Sequence, residues 1–330
     1  MESIEDIILR HSRRGMDCLR PLLPSDFCHA AARAALSCPR GNVLLATGFY
    51  VKGFAETDGP AGIWVIAQAL RALGYNPIVV TDAFCRGYFE PEGLSVIYLP
   101  FDADESLCAA LLEQYRPVLL FSLERCGINA VNDYMNMAGD SIRSHTAPVD
   151  KLFSRALGII PTIGVGDGGN EIGMGKLSAA ISARLDLIPC RVETDQLIIA
   201  TVSNWGGYGF VSCLAQMTGM DLLPTFDEIC AFIGADSLAF LILEGLIESV
   251  GMRGAEGGAV LNPGTRGIPV NTWQQDDCSD AGFCTACFNG VYPVKIPQAM
   301  WEGNFLDAQC GPARNGVGRR CGGHKTLGEA

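Results

Sequence analysis

The sequence predicts an α/β protein with a mainly parallel sheet and helices on both of its faces. Short β-rich runs alternate with amphipathic helical stretches, and polar, glycine-bearing segments follow the runs. Of the 330 residues, 48% are hydrophobic, which is enough for a sizeable core. In sheets of this kind, ligands bind beyond the carboxyl ends of the strands. We expect a single α/β domain over residues 1–273 and a separate extension over 274–330.

The individual elements follow from local patterns along the chain. Short apolar runs rich in β-branched residues predict strands over 43–47, 77–81, 95–99, 118–123, the run ending at 163, and 197–202. Helical spacing of apolar residues predicts helices over 59–73, 103–115, 149–157, 177–185, 207–217 and 226–250. Asp58 stands just before the first of these helices and is available as its N-cap.

Four polar segments that contain glycine lie between a strand and the next helix. They are Glu-Thr-Asp-Gly-Pro at 56–60, Glu-Arg-Cys-Gly at 124–127, the long loop at 164–176, and Ser-Asn-Trp-Gly-Gly-Tyr at 203–208. The carboxyl ends of parallel strands share one edge of a sheet, and connections at that edge carry binding groups. We therefore expect these four segments to form one site.

The loop at 164–176 is the most informative stretch, because six of its thirteen residues are glycine. Glycine loses more backbone entropy on folding than other residues, so this density indicates positive φ angles or a close approach of backbone to a ligand. A plain turn would not also need Asp167, Asn170, Glu171 and Lys176. We interpret the loop as functional.

Dinucleotide binding is disfavoured although residues 164–169 satisfy the pattern GxGxxG. The acid that binds the ribose should end a second strand, whereas Asp186 directly follows a predicted helix. Asp167 and Glu171 would also place carboxylates where a pyrophosphate must approach. We expect no nicotinamide or flavin cofactor.

Two other familiar chemistries also lack their motifs. A P-loop requires glycine where Asn170 stands and serine or threonine where Leu177 stands. The chain has only four histidines and no GxSxG nucleophile elbow. Cys126 beside Arg125 is compatible with a nucleophile, but a packed core cysteine is the simpler interpretation.

Charge and composition limit the partners and the compartment. The 24 basic and 36 acidic residues give a net charge of −12, which argues against nucleic acid, and no apolar run is long enough to span a membrane. The 14 cysteines are mostly scattered in apolar segments, as expected for free thiols in a reducing compartment. The arginines among residues 10–20 faintly resemble a mitochondrial presequence, but acidic residues precede them. We expect no signal peptide and a cytoplasmic protein, rather than one of the mitochondrial matrix.

The last 57 residues differ from the rest of the chain. Apolar periodicity fades from Gln274, while cysteine, glycine and arginine accumulate. Cys284 and Cys287 have the spacing of zinc ligands, with Cys310, Cys321 or His324 available to complete a site. A poorly ordered extension is favoured over a zinc site, because the second pair lacks close spacing.

The segments at the carboxyl edge make an acid-rich and amide-rich set. Its members are Glu56, Asp58, Glu124, Asp167, Asn170, Glu171 and Asn204, with Arg125 and Lys176 as cations. Clustered carboxylates suit proton transfer between groups of different pKa or a hard divalent cation. Individually, Asp58 and Asp167 are also good helix caps, and Glu56 and Glu171 can be solvated. As a set, they indicate a small-molecule site.

The chain resembles the D-glutamate cyclase family. The similarity rests on the four segments together with Asn-Asp-Tyr-Met-Asn at 132–136 and Pro-Val-Asp-Lys-Leu-Phe at 148–153, in order from about residue 5 to about 250. This resemblance implies ring closure of D-glutamate to 5-oxo-D-proline with loss of water. It implies an acidic small-molecule substrate, and it requires no cofactor, although Mn²⁺ or Mg²⁺ at Asp167 and Glu171 is compatible with it.

Under this resemblance each site residue has an expected role. The catalytic candidates are Asp167, Glu171, Asn170, Asp58 and Glu124. The substrate-binding candidates are Arg125, Asn204, Trp205, Tyr208, Gly168, Gly169 and Lys176. Arg125 suits bidentate capture of the α-carboxylate, and Asn170 and Asn204 suit contacts to carboxylate or tetrahedral oxygens. Trp205 and Tyr208 either line the pocket or belong to the core.

One departure from the family pattern keeps two alternatives open. Members often close with an Asp-Gly-Leu-Pro-like segment, whereas residues 266–269 here are Arg-Gly-Ile-Pro, with Arg266 in place of the acid. The first alternative is a lyase or hydrolase of another small amino or hydroxy acid. The second is a non-catalytic binder of amino acids or divalent ions. The sequence makes no prediction of the oligomeric state.

Overall fold

The computed structural model describes residues 2–12, 14–51, 54–56, 58–185, 187–225, 228, 229 and 232. The predicted extension over 274–330, Arg266 and nearly all of the predicted helix over 226–250 lie outside these residues. Within them, no helix has both the length and the apolar character needed to cross a membrane.

The described residues contain a six-stranded parallel sheet, as predicted. Its strands are β1 (Asn42–Ala46), β4 (Asn76–Thr81), β5 (Ser95–Tyr98), β6 (Leu119–Leu123), β7 (Thr162–Gly166) and β8 (Gln196–Ile199). Their order across the sheet is β5-β4-β1-β6-β7-β8, and every pair is parallel. A two-stranded antiparallel hairpin, β2 (Tyr50–Val51) with β3 (Phe54–Ala55), lies in the connection that follows β1.

Helices cover both faces of this sheet. They are α1 (Ile4–Ile8), α2 (Met16–Leu19), α3 (Phe27–Ser37), α4 (Pro60–Ala72), α5 (Glu105–Tyr115), α6 (Asp150–Ala156), α7 (Ser178–Arg184) and α8 (Ser203–Thr218). Helices α3 and α4 pack against α8, while α5 packs against α6. Because parallel crossovers are right-handed, the reversal of direction between β5 and β6 places α5 and α6 on the face opposite α4.

The strand order positions the site. From β1 the chain adds strands on one side, β4 and then β5, and afterwards on the other side, β6 to β8. The connections that leave β1 and β6 therefore diverge, and such a switch point is where open α/β sheets bind ligands. Strands β1, β6 and β7 are almost wholly buried, so the switch point lies at the centre of a rigid core.

Helices α4 and α8 approach each other unusually closely. A Cβ atom added to Gly62 would lie 3.0 Å from Asn204 Oδ1, and one added to Gly207 would lie 2.7 Å from Leu123 Cδ1. Glycine at these two positions allows the N-terminal turns of both helices to meet beside the end of β6. This contact brings the segments at 56–60 and 203–208 together.

Three sequence expectations need correction. Helix α8 begins at Ser203 and not at 207, and β8 ends at Ile199 and not at 202. Asp58 does not cap α4, the helix that follows it; its carboxylate accepts hydrogen bonds from the first turn of α8. The apolar pattern could not distinguish these possibilities, since the true cap is 145 residues away in sequence.

Candidate functional site

The four predicted segments meet at the carboxyl edge of the sheet, around the switch point between β1 and β6. The first precedes α4, the second follows β6 directly, the third follows β7, and the fourth forms the first turns of α8. Each of them contributes side chains that are buried beside those of the others. The expectation of one shared edge is thus confirmed by the sheet order.

Asp58 and Asn204 join the two helix N-termini. Asp58 Oδ2 accepts a hydrogen bond from Ser203 N at 3.0 Å, and Asp58 Oδ1 accepts one from Asn204 N at 2.7 Å. Asn204 Oδ1 in turn accepts from Gly59 N at 2.9 Å and from Gly62 N at 2.8 Å. Each side chain thereby satisfies backbone donors that its partner's helix leaves unpaired.

Glu124 is held in an unfavourable backbone conformation at the end of β6. Its φ angle is +50°, in the left-handed region that costs a non-glycine residue about 1–2 kcal/mol. Its carboxylate is buried and accepts a hydrogen bond from Ser203 Oγ. Backbone strain of this kind persists where the surrounding structure determines it, and it is concentrated at functional sites.

The glycine-rich loop folds around its own glutamate. Glu171 Oε1 accepts from Asp167 N at 3.1 Å and from Gly168 N at 2.6 Å, and Oε2 accepts from Gly169 N at 2.7 Å. A Cβ atom on Gly166 would lie 2.8 Å from Glu171 Oε2, and Gly169 has a φ of +112°. The glycines are therefore required for close approach to an internal carboxylate.

Asp167 forms an ion pair with a residue far away in the sequence. Arg14 Nη1 donates to Asp167 Oδ1 at 2.6 Å across 153 residues. The Asp167 side chain is 2% exposed, whereas that of Arg14 is 28% exposed, so the arginine lies between the buried carboxylate and solvent. The charge of Asp167 raises the pKa of Arg14, against the effect of burial, and Glu124, Glu56 and Glu171 add to the rise.

Five buried or partly buried carboxyl groups lie close together, and we call them the acidic cluster. They are Glu56, Asp58, Glu124, Asp167 and Glu171. Burial is the largest cause of the pKa shifts, and the charge of Asp167 is the second. Together they raise the pKa of Glu56 to about 8 and that of Glu171 to about 7, and they hold the pKa values of Asp58 and Glu124 well above their usual range.

Three members of the acidic cluster have the arrangement of a cation site. Asp58, Glu124 and Asp167 are buried, and each offers a carboxylate oxygen within 4.8 Å of the other two. Hard oxygen donors in this number suit Mg²⁺ or Mn²⁺. Thr47 Oγ1 lies against Gly59 beside this carboxylate triad and is buried without a hydrogen-bond partner among the described residues. The residues present therefore fit a divalent cation, with Glu124 in place of the predicted Glu171.

Arg125 lies beside the site but directs its guanidinium into the scaffold. The side chain is fully buried and forms an ion pair with Asp82 Oδ2 at 2.7 Å. It also donates from Nη1 to Gly48 O and from Nη2 to Ala147 O, both at 2.6 Å. These contacts tie the connections after β1, β4 and β6 together, so capture of a substrate carboxylate by Arg125 would require their disruption.

Lys176 and Asn170 also bond to the backbone. Lys176 Nζ donates to Asp195 O at 2.6 Å in an exposed position. Asn170 Nδ2 donates to Met135 O at 2.8 Å and links the glycine-rich loop to the segment after β6. No hydrogen bond or ion pair between the described residues joins either side chain to the acidic cluster.

The predicted aromatic and glycine positions lie within the packed structure. Trp205 and Tyr208 on α8 are 1% and 0% exposed and belong to the hydrophobic core, which favours the core alternative for both. Gly168 and Gly169 direct their N–H groups to Glu171. Their assignment to substrate binding stays a prediction.

The sequence did not predict two residues of the site, Arg14 and Ser203. Arg14 was considered only as part of an arginine-rich segment, and Ser203 as part of a polar connection. Arg20 of that segment pairs with Asp6, and Arg10 pairs with Glu2, so the segment belongs to the fold. The one available signal was the excess of arginine over residues 10–20, and it does not specify a partner 153 residues away.

The comparisons with known sequences identify a family. The family described as D-glutamate cyclase-like, C-terminal, matches residues 4–257. The human protein named D-glutamate cyclase, mitochondrial, is 33% identical over 210 residues, which cover 55% of this chain and 34% of the human one. An amidophosphoribosyltransferase of Drosophila melanogaster is 34% identical over 74 residues, or 22% of this chain and 11% of that protein.

These relatives are longer than the region they share with this chain. The chain spans about a third of the human protein and about a tenth of the Drosophila protein. Among solved structures, UDP-glucose 4-epimerase of Thermotoga maritima aligns over 39% of this chain and 38% of its own, at 21% identity and a TM-score of 0.26. That likeness is too weak to carry an argument.

Proposed function

The chain belongs to the D-glutamate cyclase-like family, and from this we propose that it is a lyase that converts D-glutamate to 5-oxo-D-proline and water. The observation that carries the proposal is the acidic cluster, in which the pKa of Glu56 is raised to about 8 and that of Glu124 lies well above its usual range. Groups with such values exchange protons efficiently near neutral pH.

The stoichiometry of the reaction fits a site of proton-sharing carboxyls. The substrate nitrogen begins as an ammonium and ends as an amide N–H, so it loses two protons. The γ-carboxylate loses one oxygen, which leaves as water and takes up two protons. Both protons that leave the nitrogen can therefore end in the water, and the protein only has to relay them. Buried carboxyls near their pKa perform such a relay without a net change of charge.

We assign the relay to the carboxyls of Asp167, Glu124 and Glu56. Asp167 is paired with the partly exposed Arg14, and it is the candidate base for the ammonium. Glu124 and Glu56 share a hydrogen bond, and their raised pKa values keep protons available for the leaving oxygen. Glu171, whose oxygens accept three backbone N–H groups, positions Asp167 by shaping the loop.

The carboxylate triad and the helix N-termini complete this assignment. A divalent cation bound by Asp58, Glu124 and Asp167 would polarise the γ-carboxylate in place of the proton on Glu124, and Glu56 would remain the acid for the leaving oxygen. Asp58 and Asn204 fix the N-termini of α4 and α8 at the site, and the partial positive charge there favours the developing oxyanion. The compartment stays a prediction: the sequence favours the cytoplasm, while the name of the human relative places that protein in mitochondria.

Turnover of each glutamate enantiomer tests the proposal. Purified protein is incubated with D- or L-glutamate in Mg²⁺, in Mn²⁺ or in chelator, and 5-oxoproline is measured by chiral chromatography. We expect product from the D-enantiomer alone. Asp167→Asn should lower turnover by roughly 100-fold or more, as for loss of a general acid or base. Asp102→Asn, at an exposed position outside the site, is the matched control and should keep wild-type turnover.

The negative results are also informative. A folded wild-type protein that leaves D-glutamate intact under all three conditions would contradict the proposal and favour another small amino or hydroxy acid. Thermal stabilisation by D-glutamate without turnover would favour the non-catalytic binder.

A further inference from the structure

The segment that carries Arg14 contacts the rest of the domain at two places. Thr201, between β8 and α8, donates from its N–H to Ile8 O and from Oγ1 to Arg10 O, both at 2.9 Å. At the other end of the loop, Gly15 packs against Leu185 at the end of α7, where an added Cβ would lie 2.5 Å from Leu185 Cδ2. These contacts hold the chain at Ile8, Arg10 and Gly15, and the Arg14 guanidinium lies at the rim of the acidic cluster, where it pairs with Asp167.

Arg14 is well placed to contact an anion. Among the ion pairs of the described residues, Arg14 with Asp167 is the one that reaches the acidic cluster. The guanidinium is a planar fork of N–H donors that matches the geometry of a carboxylate, and its Nη1 donates to Asp167 Oδ1. Because more than a quarter of its side chain is exposed, a second carboxylate can approach it from solvent.

A substrate with two carboxylates has an electrostatic difficulty at this site. Carboxyl groups dominate the site, and like charges brought together in a buried environment repel strongly. The two cations expected from the sequence do not relieve this repulsion, since Arg125 is fully buried in its ion pair with Asp82 and Lys176 bonds to Asp195 O in an exposed position. A cation at the rim would attract the substrate and also discriminate against monocarboxylates.

We propose that Arg14 exchanges partners during substrate binding: its guanidinium pairs with Asp167 in the free protein and binds a carboxylate of the incoming amino dicarboxylate. The inference rests on the proposed function for its substrate class. It makes Arg14 a specificity-determining residue for a dicarboxylate.

Binding of glutarate, a dicarboxylate without an amine, tests the exchange without turnover. Its dissociation constant is measured by calorimetry, with and without Mg²⁺, for the wild type and for Arg14→Gln, Arg14→Lys and Arg10→Gln. Loss of a charged bidentate contact should weaken binding by roughly 10–100-fold in Arg14→Gln. Arg14→Lys should recover part of the loss. Arg10→Gln removes an arginine of the same segment whose partner is Glu2, and it should bind like the wild type.

Asp167→Asn separates partner exchange from simple charge balance. If Arg14 captures the substrate, Asp167→Asn should bind glutarate as tightly as the wild type or more tightly, because Arg14 no longer has to leave an ionised partner. The double variant Arg14→Gln with Asp167→Asn should stay as weak as Arg14→Gln. If Arg14 only neutralises Asp167, the double variant should regain wild-type affinity, and that result would overturn the proposal.

The same experiment separates this proposal from the reaction itself. A wild type that binds no glutarate, or a folded Arg14→Gln that binds it normally, overturns the exchange whatever the turnover of D-glutamate. Glutarate binding that depends on Arg14, in a protein that does not cyclise D-glutamate, supports carboxylate capture and rejects only the proposed reaction. In an active enzyme, Arg14→Gln should raise KM for D-glutamate more than it lowers kcat.

Discussion

Asp58 and Asn204 cap each other's helices. Asp58, just before α4, accepts two hydrogen bonds from the first turn of α8, and Asn204, in that turn, accepts two from the first turn of α4. Both side chains are nearly fully buried. The arrangement directs the positive ends of two helix dipoles at the acidic cluster, which offsets part of its negative charge.

Removal of the Asn204 side chain should destabilise the protein and lower its activity. Asn204→Ala leaves the N–H groups of Gly59 and Gly62 buried without their acceptor, which costs about 1–3 kcal/mol for each group left unpaired. Urea denaturation measures the free energy of unfolding. Asp104→Ala, which removes the exposed cap of α5, is the control. It should lose about 1 kcal/mol and keep full activity, and equal activity in both variants would contradict a role for the shared caps at the site.

The glycine-rich loop should not tolerate an amide in place of the Glu171 carboxylate. Glu171→Gln replaces one acceptor oxygen by an NH₂ group that would face the N–H donors of the loop. We expect a loss of roughly 2–4 kcal/mol in the free energy of unfolding, since backbone donors become unpaired. Gly166→Ala should have a similar effect, because its Cβ would lie 2.8 Å from Glu171 Oε2.

Glu193→Gln is the control for the loop variants, since Glu193 is an exposed carboxylate on a neighbouring segment. It should unfold like the wild type. A Glu171→Gln protein of wild-type stability with reduced turnover would instead place Glu171 among the groups that transfer protons.

The local pattern of apolar residues predicted most of the fold, but it could not predict contacts between residues that are far apart in the sequence. The strands and the parallel sheet follow from apolar runs, and the shared edge follows from the rule for parallel strands. The partners of Asp58, Asp167 and Arg125 lie between 43 and 153 residues away in sequence, and such pairing is fixed by tertiary geometry. The pattern of the glycine-rich loop could not indicate that the carboxylate it encloses is its own Glu171.

The stability of the apoprotein should fall as the pH rises through neutrality. The pKa of Glu56 is raised by burial, and then by Asp167, from 4.5 to about 8. Between these values the folded chain binds more protons than the unfolded chain, so the free energy of unfolding decreases with increasing pH. Urea denaturation in chelator from pH 5 to 8 should show this slope, and Glu56→Gln should flatten it.

Glu113→Gln, at an exposed position on α5, is the control for the pH series and should retain the wild-type slope. Stability that rises from pH 5 to 8 in the wild type would mean that Glu56 is ionised in the folded protein.

Binding of Mg²⁺ or Mn²⁺ at the carboxylate triad should release protons and stabilise the fold. Burial raises the pKa values of Asp58 and Glu124 well above their usual range, so these groups hold their protons more tightly and a cation must displace those that are bound. Calorimetry in buffers of different ionisation enthalpy measures this release, and affinity should increase with pH. Glu124→Gln should lose binding, while Asp102→Asn should keep it. A melting temperature that does not change at saturating metal would contradict a cation site at the triad. A ligand at 100 times its Kd adds about 2.7 kcal/mol to the free energy of unfolding.

Substitution of Arg125 should affect folding and not substrate affinity. Arg125→Met leaves Asp82 buried without its partner, and breaking such a pair costs about 3–5 kcal/mol. Arg125→Met with Asp82→Leu removes both charges and should recover part of that stability. In any variant that folds, KM for D-glutamate should stay near the wild-type value, in contrast to Arg14→Gln. An Arg125→Lys protein with wild-type stability and a strongly raised KM would contradict this expectation. It would indicate that Arg125 contacts the substrate, because a residue that acts only in the fold would lower the stability as well.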